Sequence, residues 1–326
     1  MPPDQLNPPT TDRTERALLK VLAGTPLAEV ATAESTDPVE LADAVRLYQQ
    51  AGRHALQQHT TSGWWQVYIQ FHDWNTAEHT AAQHLAPLLH HAENDQLLTR
   101  WWFMRKHPYW RLRLQPATDS RALREQLGAA LDDLAANGRI TGWHPGIYEA
   151  ETAAFGGPTA MDTAHTLFCE DSAAILNLAG NGADDVLGRR ELSMLLCGIL
   201  LRAAKLEWYE QGDIWHRIAH ERRLPDDLPA AKLATLSHDL QPLLLANTTP
   251  DGPLFHTDGP LTRFARWANA FHQAGHDLGT ANRAGRLDRG LRHILSYHVI
   301  FHWNRLGLPA HTQAILAHAA HAAILN

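Results

Sequence analysis

The order of elements between residues 64 and 148 constrains the fold of this chain more than any other feature. Runs rich in aromatic and β-branched residues, such as WWQVYIQF from Trp64 and WRLRLQ from Trp110, are typical of strands. Helical patterns over Thr76–His90 and Ser120–Ala136 interrupt these runs. The order strand–helix–strand–strand–helix–strand predicts an α+β fold with a ferredoxin-like antiparallel sheet unit. We expect its four strands at 64–71, 101–104, 110–115 and 139–148.

A mainly helical half is predicted after Gly156-Gly157-Pro158, a turn in which glycine permits positive φ and proline then fixes φ. The apolar run LSMLLCGILL at 192–201 indicates a central buried helix. One helix is expected within the proline-rich loops of 224–260. The other predicted helices cover 159–178, 187–205, 207–219, 261–282 and 287–306, with a short terminal helix from His311.

The residues ahead of the sheet are predicted to form a small helical arm. Asp37 and Pro38 predict an N-cap followed by proline at the first helical position, and Ala51-Gly52 predicts the end of that helix. The proline-rich N-terminal tail is expected to be disordered. The predicted domains are therefore a tail at 1–12, an arm at 13–60 and a main domain at 61–326.

Composition excludes several classes of protein. The net charge of −7 argues against general nucleic-acid binding, which needs a basic surface. The 2 cysteines lie outside any CxxC motif, which fits a reducing cytosol and predicts a cytoplasmic protein. The sequence shows no signal peptide and no apolar run long enough to span a membrane, so no membrane partner is expected.

The stretch from Glu149 to Ala174 is the first candidate site. It begins with the carboxylates of Glu149 and Glu151 at the end of a predicted strand and turns at the two glycines. It continues as a helix that carries His165, Asp171 and Ser172. Polar groups crowded where a strand is followed by a helix commonly form a site. The alternative is a tight turn followed by a well-capped helix.

The segment RGLRHILSYHVIFHWNRLGL, which begins at Arg289, is the second candidate site. His298, His302 and Arg305 lie at helical positions i, i+4 and i+7, and Tyr297 and Asn304 lie on the next face. Such a helix either borders a polar pocket or carries, on its outer face, histidines whose ring nitrogens already have hydrogen-bond partners. No metal site is expected, because residue 299 is valine in place of the HExxH glutamate and no strong third ligand is evident.

Five basic residues between positions 100 and 113 have no acidic residue among them. Arginine forks suit carboxylates, so this patch predicts a site for an acidic peptide or a carboxylate. The alternative is a solvated strand face balanced by nearby acidic residues. The five residues are Arg100, Arg105, Lys106, Arg111 and Arg113.

Glu207, Glu210 and Asp213 are spaced by three and share a helix face. Paired carboxylates can act as acid and base when their pKa values are pushed apart. Acidic residues near a helix start also stabilise the macrodipole, and this second interpretation is favoured.

Five segments, in this order along residues 60–325, resemble the thiopeptide-type bacteriocin biosynthesis domain. That domain is related to the glutamate-elimination part of lanthipeptide dehydratases, and the resemblance implies the same α+β architecture. The segments are WWQVYIQF, FMRKHPYWRLRL, ETAAFGG with DTAHTLFCEDS, RRELSMLL with EWYEQGDIW, and SYHVIFHWNRLGL.

Two activities occur within this superfamily. The elimination domains carry a pattern E-x-x-R-Y-G-G, in which Ala154 and Phe155 here replace the arginine and the tyrosine after Glu151. The form found here is more similar to stand-alone pyridine synthases. These join two dehydroalanines of a leader-bearing, azole-containing peptide in a formal [4+2] aza-cycloaddition, and loss of water and leader peptide gives the pyridine. The alternatives are a glutamate-elimination lyase and a non-catalytic module that binds leader peptide.

The resemblance implies no cofactor and no metal, and it implies a dehydrated thiazole peptide with its leader as the partner, together with other enzymes of the pathway. Tyr297 and His298 are the preferred acid–base candidates, and Ser296 could orient a substrate carbonyl. Further catalytic candidates are His165, Asp171 and Ser172. The substrate-binding candidates are Arg105, Arg111, Arg113, Glu151, Phe155, Tyr209, Asp213, His302, Asn304 and Arg305.

Overall fold

The structure is a computed structural model that describes residues 10–61, 63–117, 120–180, 187–249 and 252–325. The chain divides into two compact units, Met1–Gly63 and Trp64–Asn326. No helix in the described part of the chain is both long enough and apolar enough to cross a membrane.

Over its described residues, the first unit consists of three helices, α1 (Thr10–Leu22), α2 (Leu27–Ala33) and α3 (Pro38–Thr61). The predicted N-cap of α3 is present, because Asp37 Oδ1 accepts the backbone N–H groups of Val39 at 2.7 Å and Glu40 at 3.1 Å. Their small core contains Ala17, Leu18, Val30, Ala31, Leu41 and Val45.

Two expectations for this unit need correction. Helix α1 begins at Thr10, within the stretch expected to be disordered, and residues 1–9 lie outside the described part. Helix α3 continues past Gly52, where its end was predicted, to Thr61. A single glycine inside a helix costs only about 1 kcal/mol relative to alanine, which a helix of this length tolerates.

The second unit contains a four-stranded sheet in the order β2-β3-β1-β4, with antiparallel neighbours throughout. This is the predicted ferredoxin-like arrangement, so the predicted α+β fold is confirmed. A π-helical turn at Ala81–Leu85 joins α4 to α5. The elements are β1 (Trp65–Gln70), α4 (Ala77–Thr80), α5 (Ala86–Asn94), β2 (Leu98–Lys106), β3 (Tyr109–Pro116), α6 (Ser120–Ala136) and β4 (Gly142–Gly146).

The two faces of the sheet differ in chemistry. Because side chains alternate along a strand, Trp110, Leu112 and Leu114 enter the main hydrophobic core, as predicted. The opposite face carries Arg111 and Arg113, which pair in register with residues of β1 and β2. Arg113 lies opposite Gln66 and Trp102, and Arg111 lies opposite Tyr68 and Met104.

In the part of the second unit that the structure describes, seven further α-helices follow the sheet. Residues 192–201 of α8 are all buried, which confirms the predicted central helix. Gly275 and Gly279 of α11 let that helix approach α8 closely, because a Cβ atom at either position would overlap the α8 backbone or the residue after it. The helices are α7 (Pro158–Gly180), α8 (Arg189–Ala203), α9 (Trp208–Glu221), α10 (Ala230–Leu245), α11 (Ala265–Arg283), α12 (Leu291–Leu306) and α13 (Ala310–Leu325).

Helix α7 covers the edge strand β2. Ser172 on α7 is fully buried, and its Oγ accepts the backbone N–H of Phe103 at 3.1 Å. An edge strand otherwise presents unpaired backbone groups that can template aggregation. Ser172 therefore terminates the sheet at this edge, and its catalytic role stays a prediction.

Candidate active site

The predicted glycine turn positions the first candidate stretch against α12. Gly156 and Gly157 have φ of 86° and 101°, and a Cβ at Gly156 would overlap Ile294 of α12. The carbonyl of Gly156 also accepts the backbone N–H of Asp288 at 3.0 Å. Glycine is thus required both for the conformation and for the close approach. The turn sets the residues just before it beside α12.

An aromatic cluster fills the space between the polar face of the sheet and helices α7 and α12. Phe155 lies at its centre, with its ring 4.9 Å from His298 and from Phe301, and 5.3 Å from Phe168, always edge-on. The cluster consists of the buried residues Trp102, Met104, Phe155, Met161, Ala164 and Phe168, and half-buried Trp64, Tyr148, Ala154, Cys169, Tyr297 and Phe301 pack against it.

Tyr148 and His165 form a hydrogen-bonded pair at the margin of the aromatic cluster. The Tyr148 hydroxyl lies 2.8 Å from Nε2 of His165. The Trp64 ring packs against His165 with centroids 4.9 Å apart. The Arg113 guanidinium lies 4.1 Å from the centre of the Trp102 ring and 5.2 Å from that of Tyr148. A cation, a phenol and an imidazole are therefore neighbours here.

Burial sets the protonation of these groups. It lowers the pKa of His165 to about 4, with help from the Arg100 cation, and it raises the pKa of Tyr148. It also lowers the pKa of Arg113 to about 10. At neutral pH the imidazole and the phenol are both uncharged and Arg113 is a cation. Partial burial raises the pKa of Glu151, and the cations of Arg113, Arg111 and Lys106 oppose that rise.

Arg111 and Arg113 are the part of the basic patch that faces this site. Arg113 is buried, and its Nε donates to Gln66 at 2.8 Å. Arg111 is half-buried, lies 5.6 Å above the Tyr68 ring, and its Nε has no partner in the described part of the chain. Arg100 instead bonds Asp162 at 3.1 Å and Gln115 at 2.6 Å.

Arg105 lies on the opposite face of the sheet. Its guanidinium pairs with Glu78, which also pairs with Arg189, and Arg189 donates to the Leu306 carbonyl at 2.9 Å. Burial lowers the pKa of Arg105 to about 9. The predicted run of unbalanced positive charge is therefore divided between two faces. Arg105 ties β2 to α4 through Glu78, and Arg189 ties α4 and α8 to the end of α12. The role of Arg105 in substrate binding stays a prediction.

Asp171 is the centre of a fully buried network. Its carboxylate accepts His302 Nδ1–H at 2.9 Å, Arg305 Nε–H at 2.7 Å and Trp267 Nε1–H at 2.9 Å. Burial alone would raise the pKa of Asp171, but the two basic partners hold it below its ordinary value. The Nε2 atom of His302 continues the network to Ser193 at 2.9 Å. These contacts join α7, α8, α11 and α12.

The remaining candidates on α12 differ in accessibility. Ser296 is buried, and its hydroxyl donates to the His293 carbonyl at 2.7 Å. Tyr297 is half-buried, with its ring stacked on His293 at 5.3 Å and 6.3 Å from Phe155. His298 is only 1% exposed, neither ring nitrogen has a partner in the described part, and burial lowers its pKa to about 3. Asn304 accepts Gln313 Nε2–H at 3.0 Å.

Helix α9 brings its candidates to a different surface. Glu207 and Glu210 form a capping box at the start of α9, which bears out the helix-start interpretation. Asp213 pairs with Arg217 at 3.0 Å and Arg292 at 3.3 Å. Tyr209 is 70% exposed. Among the contacts of the described residues, none joins this group to the aromatic cluster.

A cavity of about 600 Å³ lies along the covered edge of β2, between α5, α7 and α11. Trp101, Trp267 and Phe264 contribute aromatic walls, and Arg100 and Arg266 contribute cations. Arg100 also lies 5.8 Å above the Trp64 ring. The described residues include no group of three or more metal-ligating side chains that could hold a metal ion.

The structure adds Tyr148, Trp64 and Trp102 to the residues that sequence reasoning had singled out. Tyr148 ends the predicted fourth strand three positions before Glu151. The position of Tyr148 next to the first candidate stretch was the one sequence feature that could have identified it. Nothing in the sequence shows that the Tyr148 hydroxyl contacts His165. Of the predicted catalytic residues, Tyr297 packs against the aromatic cluster and the buried His165 ring contacts its members Trp64 and Phe168, whereas Asp171 and Ser172 are fully buried in the interior.

Comparisons with known proteins agree with this architecture. The crystal structure of MibB, the tRNA-dependent lantibiotic dehydratase from Microbispora sp. 107891, superposes with a TM-score of 0.61 at 20% identity. That match covers 80% of this chain and 28% of MibB, so the chain spans a little over a quarter of that protein. The crystal structure of TsrL superposes with a TM-score of 0.55 at 17% identity, covering 79% of this chain and 93% of TsrL.

No curated protein matches the sequence. The family model of the lantibiotic biosynthesis dehydratase C-terminal domain matches residues 64–324, which is most of the chain and nearly all of the second unit. This protein therefore belongs to the family of lantibiotic biosynthesis dehydratase C-terminal domains.

Proposed function

We propose that this protein is a pyridine synthase of thiopeptide biosynthesis. It joins two dehydroalanines of a leader-bearing, azole-containing peptide in a formal [4+2] aza-cycloaddition, and loss of water and leader peptide then gives the pyridine-centred macrocycle. The observation that carries this proposal is the environment after Glu151. Phe155 is fully buried in the aromatic cluster, and Ala154 packs against the same cluster, where the elimination pattern has tyrosine and arginine.

This environment suits a neutral substrate better than a glutamyl ester. Without the arginine at position 154, the site has lost one charged anchor for the carboxylate of a glutamyl group. Half-buried Trp64, Tyr148 and Tyr297 offer ring faces instead, and aromatic faces stack favourably on the azoles of the proposed substrate. We assign azole recognition to this margin.

Macrocyclisation requires that two distant parts of one peptide be held together. Such ordering can contribute roughly 7–11 kcal/mol to lowering a barrier. Arg111 and Arg113 share one face of the sheet, close enough to Glu151 for their charges to oppose the rise in its pKa. Guanidinium groups bind carboxylates in a fixed geometry. We assign these two arginines to carboxylates of the leader peptide, which would anchor one part of the substrate.

The reaction also needs proton transfers, which are general acid–base steps. Tyr297 is our candidate acid for the late loss of the hydroxyl and of the leader amide. It is half-buried, and its hydroxyl has no hydrogen-bond partner in the described part of the chain. The buried Asp171 network fixes His302 and Arg305 on the same helix and so holds α12 in place. No step in this scheme requires a cofactor.

A glutamate-elimination lyase is the second candidate function. The observation that favours it is the cationic pair of Arg111 and Arg113 next to Glu151, which could equally hold the carboxylate of a glutamyl group. A non-catalytic module that binds leader peptide is the third. All three share the same surface, so the chemistry of the product must separate them.

The test is a mass spectrum of two reactions. The protein is incubated with a dehydrated, azole-bearing peptide that retains its leader, and separately with a glutamylated peptide. A pyridine-containing macrocycle with released leader supports the proposed function. Free glutamate from the second peptide supports the lyase and contradicts the synthase. Tight binding with both peptides unchanged supports the binding module.

A further inference from the structure

We infer that Tyr148 and His165 form a proton relay, in which Tyr148 exchanges a proton with a backbone amide of the substrate and His165 holds the displaced proton. This inference rests on the proposed function and assigns an early step of that reaction. The step is tautomerisation of one amide to its iminol, which generates the C=N bond that enters the cycloaddition.

The hydrogen bond between the two residues is the first support. Tyr148 Oη and His165 Nε2 are 2.8 Å apart, a normal length for a hydroxyl donating to a ring nitrogen. Among the tyrosine hydroxyls of the described residues, that of Tyr148 is the one bonded to another side chain. Tyr297, by contrast, meets His293 face to face, with ring planes only 6° apart. A relay needs an in-line hydrogen bond, which stacked rings do not provide.

Surrounding contacts hold the pair in one position. Gln66 Nε2 donates to the Ile147 carbonyl at 3.0 Å and so fixes the loop that carries Tyr148. The same glutamine accepts Arg113 Nε–H at 2.8 Å, and Arg113 lies over the Tyr148 ring. Trp64 packs against the His165 ring. Tyr148 itself is half-buried at the margin of the aromatic cluster, so part of its side chain is open to solvent.

Protonation states fit a transient relay. Burial keeps the phenol protonated and the imidazole neutral, so Tyr148 donates and Nε2 of His165 accepts. Burial and the cations of Arg100 and Arg113 disfavour the imidazolium. A proton that reaches His165 is therefore returned at once. That behaviour suits a step with no net proton uptake, and it does not suit long-term storage of a proton.

The proton balance of the step closes without another reagent. The amide N–H bond breaks as its proton goes to Tyr148 Oη, and the original phenol proton goes to His165 Nε2. The N–H electron pair forms the C=N bond while the carbonyl oxygen takes up a proton from Tyr148, whose oxygen regains its own proton from His165. One N–H bond is exchanged for one O–H bond, and both side chains end in their starting states.

The experiment compares three variants in single-turnover reactions at saturating dehydrated azole peptide. Tyr148→Phe keeps the ring and removes the proton, and we expect a loss of about 10²–10⁴-fold in the cyclisation rate. His165→Gln should lose a similar factor. Tyr109→Phe, on the strand next to β1, is the matched control and should react within a few-fold of the unaltered protein. Leader affinity should be unchanged in all three.

Fluorinated tyrosine distinguishes a proton-transfer role from a packing role. The reaction rate depends on the pKa of the phenol only if the hydroxyl transfers a proton. Fluorine substitution at position 148 lowers the pKa of the phenol while it retains the ring and hydroxyl, so it also serves if Tyr148→Phe does not fold. We expect the rate to change systematically with phenol pKa at position 148 and to stay constant at position 109. A Tyr148→Phe rate within a few-fold of normal, or a flat fluorine series, overturns the relay.

The products formed by the unaltered protein distinguish failure of the relay from failure of the proposed function. If it releases glutamate and forms no macrocycle, the synthase proposal fails. The rate of glutamate release is then measured for the same variants. A slower release by Tyr148→Phe retains the proton-transfer role of Tyr148, and an unchanged rate overturns that role. If the unaltered protein changes neither peptide, both proposals are overturned together.

Discussion

His302 donates its Nδ1–H to Asp171 across 2.9 Å, although the two residues are 131 positions apart and both side chains are completely buried. The carboxylate has three N–H partners in all, from three different residues of two other helices. A buried charge with this set of partners holds helices in register. The network therefore determines how α12, with its candidate residues, meets α7.

We predict that Asp171→Asn destabilises the second unit by about 3–5 kcal/mol, because it leaves the buried Arg305 guanidinium without its counter-charge. Denaturant unfolding measures the change. Asp162→Asn is the matched control, since it breaks an exposed ion pair with Arg100 that is worth at most about 1 kcal/mol. Equal losses for both variants would contradict the central role of Asp171.

We predict that substitution of two histidines one turn apart on α12 affects the stability of the fold differently. His302→Leu removes the bonds to Asp171 and Ser193 and should destabilise the fold at neutral pH. His298→Leu removes two ring nitrogens that have no partner in the described part, so it should be neutral or stabilising. Thermal unfolding at pH 7 separates the two. A larger loss for His298→Leu than for His302→Leu would contradict the assigned environments.

The same substitution at His298 should change the pH dependence of stability. Its folded pKa is about 3 and its ordinary value is 6.5, so between these pH values the unfolded chain binds more protons. Stability therefore falls as the pH falls from about 6.5 towards 3, and His298→Leu should make that fall shallower. Unfolding free energies across this window provide the measurement, and an unchanged slope would argue against burial of a neutral His298.

We predict that Arg111→Ala weakens leader binding by about 10–100-fold, because hydrogen bonds to charged groups contribute roughly 1.5–3 kcal/mol. The affinity of the unaltered protein should also fall with added salt, since the contact is partly exposed. Arg121→Ala, on α6 and paired with exposed Glu125, is the control and should bind normally. Fluorescence titration with labelled leader peptide reports both effects, and salt-independent binding would remove the assignment.

Local patterns were enough to predict the sheet. The alternation WRLRLQ at 110–115 already separates Trp110, Leu112 and Leu114 from Arg111 and Arg113, and the structure retains that division. Periodicity likewise identified the face of α12 that carries His298, His302 and Arg305. It could not show that this face enters the core, because its partner Asp171 lies more than a hundred positions earlier in the chain.

Pairing across the sheet was harder to anticipate. The five basic residues of the patch are close in sequence, yet Arg105 and Arg111 lie on opposite faces, because the register pairs Arg105 with Trp110 and Met104 with Arg111. The contact of Tyr148 with His165 depends on how the chain leaves β4 and how α7 returns over the sheet. No local pattern encodes that distance, and the tyrosine was therefore missed as a site residue.

We predict that Tyr297→Phe blocks the late steps of the proposed reaction. The variant keeps the ring that packs near Phe155 and removes the proton, so leader binding should be intact while product formation falls by about 10²–10⁴-fold. Because the relay at Tyr148 still operates, a cyclised species of unchanged mass should accumulate, with a new chromatographic retention time. Tyr148→Phe should leave linear peptide instead.

A rate within a few-fold of normal for Tyr297→Phe would mean that its hydroxyl takes no part and that the ring only packs. Stability measured in parallel excludes trivial loss of folding. His298→Leu serves as the neighbouring control, since the His298 side chain packs between the rings of Phe155 and Phe168 and is almost completely buried. If His298→Leu rather than Tyr297→Phe stops the reaction, then α12 must open during turnover to expose that buried imidazole.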